Sequence, residues 1–143
     1  MQLSSQEIQE IYKQVAVLYP PFPKSACAAT LSVILKFLGH EVKFEKWAET
    51  LATNLKNSGW KRVELGEGMK PGDVFVTEDL DDNGRVDADH IGLVYALHRN
   101  PNLFYCLDNN LRAPLFRPYI RNVKFDSDPQ IPKRTPIDYL LRK

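Results

Sequence analysis

Apolar positions in the first part of the chain recur at helical spacing. Ile8, Ile11, Tyr12 and Val15 fall on one face between polar neighbours, which predicts an amphipathic helix over about Ser5 to Val17. From Ala26 to Leu38 the chain is apolar nearly all round, through Ala28, Ala29, Leu31, Val33, Ile34, Leu35, Phe37 and Leu38, and Gly39 follows. That pattern predicts a buried central helix with a glycine stop. A third helix is expected over about Phe44 to Lys56, closing at Asn57-Ser58-Gly59. Beyond Trp60 the period shortens. Short extended pieces are expected at Lys61 to Leu65 and, after the turn Met69-Lys70-Pro71-Gly72-Asp73, at Val74 to Thr77. Two further strands, His90 to Leu97 and Leu103 to Asp108, flank the turn signal Asn100-Pro101-Asn102. A helical first half followed by a strand-rich second half is the α+β pattern rather than alternating βαβ units. The length, 143 residues with 43% hydrophobic, suits a single domain over 1–143.

The start of the central helix carries the first candidate chemistry. Pro20, Pro21 and Pro23 cannot sit inside a helix, so the helix begins after them, with Ser25 as its expected N-cap. Cys27 then lies in the first turn, where unpaired N–H groups and the positive end of the dipole favour a thiolate and could also face an oxyanion. The plainer reading is a buried cysteine packing as a small apolar residue. Strand parity supplies partners for the catalytic one. His90, Gly92, Val94 and Ala96 share a face of one strand, Phe104, Cys106 and Asp108 a face of the next, and Asn110 continues that parity. Gly92 and Ala96 are small enough to admit a closely packed helix. An antiparallel hairpin with those faces turned to the central helix brings His90 and Asp108 together. Cys27 would then be the nucleophile, His90 the base and acid, and Asp108 the group that orients the imidazole. A slip of one residue in register would undo this.

Helix-start Cys27, the turn Lys70-Pro71-Gly72-Asp73-Val74-Phe75, the Asp-rich loop ending in Asp89-His90-Ile91-Gly92-Leu93-Val94, and Asp108-Asn109-Asn110 together resemble the NlpC/P60 and CHAP superfamily of papain-like cysteine peptidases and amidases. The resemblance spans about residues 24 to 110. It implies a papain-like fold, with a helical N-terminal half packed on an antiparallel sheet, and cleavage of an amide bond in bacterial cell-wall peptidoglycan through a thioester. CHAP-type members often carry Glu-x-Asn where this chain has Asp108-Asn109-Asn110, so the resemblance implies that Asp108 orients His90 and Asn110 assists. The shorter carboxylate leaves open which of the two bonds the imidazole.

The loop Asp79 to His90 opens like a calcium loop, D-x-D-x-N-G, but its twelfth position is His90 rather than a bidentate Glu. Asp79, Asp81, Asn83 and Asp87 are candidate calcium ligands, and a solvated turn at Gly84 is the alternative; no cofactor is required by the catalytic reading. A net charge of +1 gives no general pull toward nucleic acid. The later stretch is locally basic, with Arg112, Arg117, Arg121, Lys124, Lys133, Arg134, Arg142 and Lys143 against Asp126, Asp128 and Asp138, and reads as a solvated face, with an anionic-polymer contact as the alternative. No apolar run is long enough to span a bilayer, and the N-terminus lacks the basic start and apolar centre of a signal peptide. The expectation is a cytoplasmic protein as encoded, or one delivered to the wall by a non-classical route, where an immunity or inhibitor protein would be a natural partner. Two cysteines form no disulfide framework and no zinc pattern. His40, His98 and Cys106 read as surface or packing residues, Trp47 and Trp60 as core or cleft-wall aromatics. A non-catalytic interaction or calcium-binding module on the same fold, or an amidase with a cytosolic non-wall substrate, stands beside the hydrolase reading.

Overall fold

The computed structural model describes residues 3–78, 88–111, 116–124, 131 and 136–143. Three α-helices, α1 (Ser5–Leu18), α2 (Cys27–Phe37) and α3 (Ala48–Asn57), precede six strands: β1 (Lys61–Val63), β2 (Val74–Glu78), β3 (Ala88–Leu97), β4 (Leu103–Leu107), β5 (Tyr119–Asn122) and β6 (Tyr139–Arg142). The strands form one sheet in the order β1-β6-β2-β3-β4-β5, and every pairing is antiparallel. The chain is α+β, as its halves predict. Among the described residues no helix is long and apolar enough to cross a membrane.

Local signals account for the helices. Ser4 and Glu7 form a reciprocal capping box at the start of α1, with Glu7 N–H donating to Ser4 Oγ at 3.1 Å and Ser4 N–H to Glu7 Oε1 at 3.0 Å. The buried face of α1 is the predicted one, Ile8, Ile11, Tyr12 and Val15. Helix α2 is buried along most of its length and lies between α1 and the sheet strand β3. Helix α3 starts at Ala48 rather than near Phe44. The residues before it are tied to α2 and to α3 itself instead of winding into a turn: Glu45 N–H donates to Ser32 Oγ of α2 at 3.1 Å, and Glu45 Oε1 accepts from Asn54 Nδ2 of α3 at 3.0 Å.

The sheet has two unlike faces. Val74, Val76, Ile91, Leu93, Leu107, Tyr139 and Leu141 pack with the three helices in the main core. The alternate residues Phe75, Val94, Phe104, Cys106 and Leu140 form a second core with Val63 and Ile137. By strand parity His90 belongs to this second face, and its ring lies 5.8 Å from that of Phe75. The expectation that the His90 face turns toward the central helix is therefore corrected: the helices cover the opposite face. Gly92 serves the Phe75 ring rather than a helix, since a Cβ there would overlap that ring and stand 3.1 Å from Asp108 Cβ. A bulge after Val94 ends the shared parity, pairing Ala96 with Tyr105 instead of with the Cys106 side of β4.

The basic C-terminal stretch also departs from its reading as a solvated face. It supplies β5 and β6, and β6 inserts between β1 and β2 with Tyr139, Leu140 and Leu141 buried. Arg121 is 1% exposed, with its guanidinium 4.9 Å from the Phe75 ring centroid. Arg142 makes a two-pronged ion pair with buried Asp73, Nε to Oδ1 and Nη2 to Oδ2 both at 2.8 Å, and Asp73 Oδ2 also accepts from Lys70 N–H at 2.8 Å. The Lys70-Pro71-Gly72-Asp73 turn is thus a structural clamp on the last strand, with Gly72 at φ +94° as the position that needs glycine. Arg117, Lys124 and Lys143 are exposed, while Arg112, Lys133 and Arg134 lie outside the described residues.

Because Gly92 is the contact point between Phe75 and Asp108, Gly92→Ala is expected to lower stability by about 2 kcal/mol through overpacking, read as a fall of several degrees in Tm by circular dichroism. An unchanged Tm would show that the Phe75 ring has room to give.

Candidate active site

The loop before α2 is folded by its own backbone, Phe22 N–H to Tyr19 O at 2.9 Å and Lys24 N–H to Pro21 O at 3.0 Å. It is pinned to the end of β4 by Asn109 Nδ2, which donates to Pro23 O at 2.9 Å. Ser25 does not cap the helix. It sits at φ +52°, outside the extended region an N-cap uses, and Ala26 occupies the cap position. Among the described residues no side chain caps α2, so none competes for the N–H groups of its first turn. Cys27 is the first residue of that turn and is half-buried.

His90 is the third residue of β3, paired across the ladder with Thr77. Its Nε2 is 2.9 Å from Asp108 Oδ2. Cys27 lies close enough to the same ring to favour, with Asp108, its charged form. The three residues singled out from helix start and strand parity therefore meet, at the end of the β3–β4 pair where α2 begins.

Asp108 has no exposed surface. Its Oδ2 also accepts from Tyr119 Oη at 2.8 Å and Asn110 Nδ2 at 3.3 Å, its Oδ1 from Asn110 N–H at 2.8 Å, and its carbonyl oxygen from Tyr12 Oη at 2.6 Å. The alternative left open between Asp108 and Asn110 is resolved geometrically: the carboxylate bonds the imidazole and Asn110 braces the carboxylate. Two participants were not singled out from the sequence. Tyr12 was placed only on an apolar helix face, although a tyrosine there needs a partner for its hydroxyl, which was the available signal. Tyr119 lies on a strand that no alternation announces.

Electrostatics follow from burial and pairing. Burial works against a charged His90 ring, but hydrogen bonds with Asp108 and Cys27, and their negative charge, outweigh it and raise the His90 pKa to about 9. Burial likewise works to neutralise Asp108, and the His90 bond and charge, then the Asn110 and Tyr119 donors, overcome it and hold the carboxyl below its ordinary value. Tyr12 and Tyr119 are both pushed up, first by burial and then by neighbouring anionic groups including Asp108, so both remain hydrogen-bond donors.

The remaining candidates lie elsewhere. Cys106 is fully buried in the second core and interacts with Tyr119. His40 packs edge-on against Trp60, and His98 Nδ1 accepts from Asn100 N–H at 3.0 Å in the β3–β4 turn. Trp60 is 4% exposed in the main core and Trp47 is 72% exposed; neither is among the residues that meet around His90. Asp79, Asp81, Asn83 and Asp87, and with them the calcium reading, lie outside the described residues. Among the described residues no three His, Cys, Asp or Glu side chains gather into a metal-binding group.

A cysteine at a helix start, a histidine beside it and a buried carboxylate hydrogen-bonded to that histidine have the composition of a Cys-His-Asp site. Comparison of the chain with protein-family models, with curated proteins and with solved structures found no match.

The raised His90 pKa has a testable sign. Stability from charged His90 is complete below its unfolded value of about 6.5 and is lost as pH rises through about 9. The Tm of the wild type is expected to fall over that window, and His90→Gln should flatten the fall while lowering the plateau. Parallel curves for the two proteins would contradict the assigned pairing.

Proposed function

We propose that this protein is a cysteine hydrolase of papain-like type that cleaves an amide bond through a thioester acyl-enzyme, with peptidoglycan peptides as its substrate class. The observation that carries the reading is the buried bond between His90 Nε2 and Asp108 Oδ2, with Cys27 beside the same imidazole. A packing cysteine needs no such partner. In the proposed reaction Cys27 Sγ attacks the carbonyl carbon, and the first-turn N–H groups of α2 stabilise the oxygen anion. Protonated His90 gives its proton to the leaving amine, then accepts one from the water that cleaves the thioester. Asp108 keeps the ring oriented and balances its charge throughout.

The choice of peptidoglycan rests on the sequence resemblance to NlpC/P60 and CHAP proteins and not on the geometry, which supports amide hydrolysis as a class. A cytosolic amide substrate is the alternative within the same chemistry.

Purified wild type is expected to release new amino groups from peptidoglycan, and Cys27→Ala to lower that release by at least about a thousandfold, with circular dichroism and Tm close to wild type. If the wild type releases nothing from peptidoglycan of several cross-link chemistries, the wall assignment fails. If Cys27→Ala retains the activity, the nucleophile assignment fails.

A further inference from the structure

We propose that Tyr119 is a positioning residue of this site: its hydroxyl, donated to Asp108 Oδ2, fixes the carboxylate against His90. This rests on the cysteine-hydrolase reading, in which the ring of His90 must be held in one orientation. The geometry is set by the register. Cys106 pairs with Tyr119 across β4 and β5, so the two side chains share the sheet face that carries Asp108. Asp108 is two residues further on, about 7 Å along the strand direction, which is the reach of a tyrosine side chain and beyond that of any shorter hydroxyl residue. The 2.8 Å bond follows from that fit.

The other donors to the carboxylate cannot replace it. Both Asn110 bonds come from two residues away in the same turn, at 2.8 Å from the backbone and 3.3 Å from the side chain, so they move with Asp108. The Tyr12 bond is to the Asp108 carbonyl oxygen and does not touch the carboxylate. Tyr119 comes from a different strand and ties Oδ2 to the sheet, on the same oxygen that His90 uses. Without its donor, a carboxylate with no exposed surface is less stable as an anion, and the proton on His90 is held less tightly. Among the described residues, the polar and titratable side chains around His90 and Asp108 include Cys27 from α2, Tyr12 from α1, Thr77 from β2, Cys106 from β4 and Tyr119 from β5, together with Asn110 in the turn after β4.

The test compares Tyr119→Phe with Tyr12→Phe, each of which removes one buried hydroxyl that binds Asp108. His90 is titrated by NMR, and kcat and KM are followed against pH. Tyr119→Phe is expected to lower the His90 midpoint by about one pH unit or more, to carry the alkaline limb of kcat with it, and to lower kcat about tenfold with KM within about twofold. Tyr12→Phe should leave the midpoint where it is. A merely structural role predicts loss of Tm in both variants with His90 titrating as in the wild type, and that result overturns the proposal. If Tyr119→Phe does not fold, the wild-type Tyr119 hydroxyl proton serves instead: it should shift as His90 titrates, and a resonance indifferent to that titration is the contrary result. The titration needs no substrate, so an inactive wild type counts against the hydrolase reading alone.

Discussion

A carboxylate with no exposed surface must be hydrogen-bonded on every side or lose its charge, and Asp108 is where that constraint falls in this protein. Meeting it draws in each part of the fold. Strand β3 contributes the imidazole of His90, strand β5 the phenol of Tyr119, and the turn after β4 the amide and side chain of Asn110, while the Tyr12 hydroxyl of helix α1 holds the backbone carbonyl of the same residue. Satisfying one buried anion thereby fixes the relative positions of elements far apart in sequence. The same network holds His90 beside Cys27 at the start of α2.

The sheet makes this possible by separating two tasks between its faces. The helix-covered face carries Ile91, Leu93 and Leu107 into the main core, while the alternate residues build the second core and the polar cluster at its end. Gly92 lets the Phe75 ring lie beside His90, and Arg121 lies over the same ring. The loop before α2 closes the arrangement through Asn109 and Pro23, so that the helix start is tied to the strand end that holds the carboxylate. Leaving α2 without a side-chain cap among the described residues is a local cost, of about 1 kcal/mol for an ordinary helix, that keeps its first-turn amides free of a competing cap.

Features governed by local rules were legible in the sequence. The apolar face of α1, the extent of α2, and the β2, β3 and β4 strands follow from spacing of three to four or of two. Parity brought His90 and Asp108 to one face, but the step from that face to Cys27 relied on a helix packed over it, and the helices cover the other face. Properties governed by distant pairing were not legible. Strand β6 is four residues long and sits between β1 and β2, and a burial that depends on two partners far back in the chain leaves no periodicity of its own. Arg121 and Arg142 looked like solvated charge because their stabilising partners, the Phe75 ring and Asp73, are supplied by β2 and the turn before it. Ser25 had the composition of a cap, but the turn that ends the proline-rich loop puts it in a left-handed conformation and passes the cap position to Ala26.

In the proposed reaction Cys27 is the nucleophile, and His90 with Asp108 behind it makes it reactive. The most direct measurement is the rate of iodoacetamide alkylation at each cysteine, read by peptide mass spectrometry at about pH 6, where an ordinary thiol is almost entirely protonated. The account predicts that Cys27 in the wild type reacts at least about a hundredfold faster than Cys106, and that Asp108→Asn and His90→Ala each remove most of the difference while circular dichroism shows the protein still folded. Equal rates at the two cysteines of the folded wild type, or a fast Cys27 indifferent to both substitutions, would contradict it.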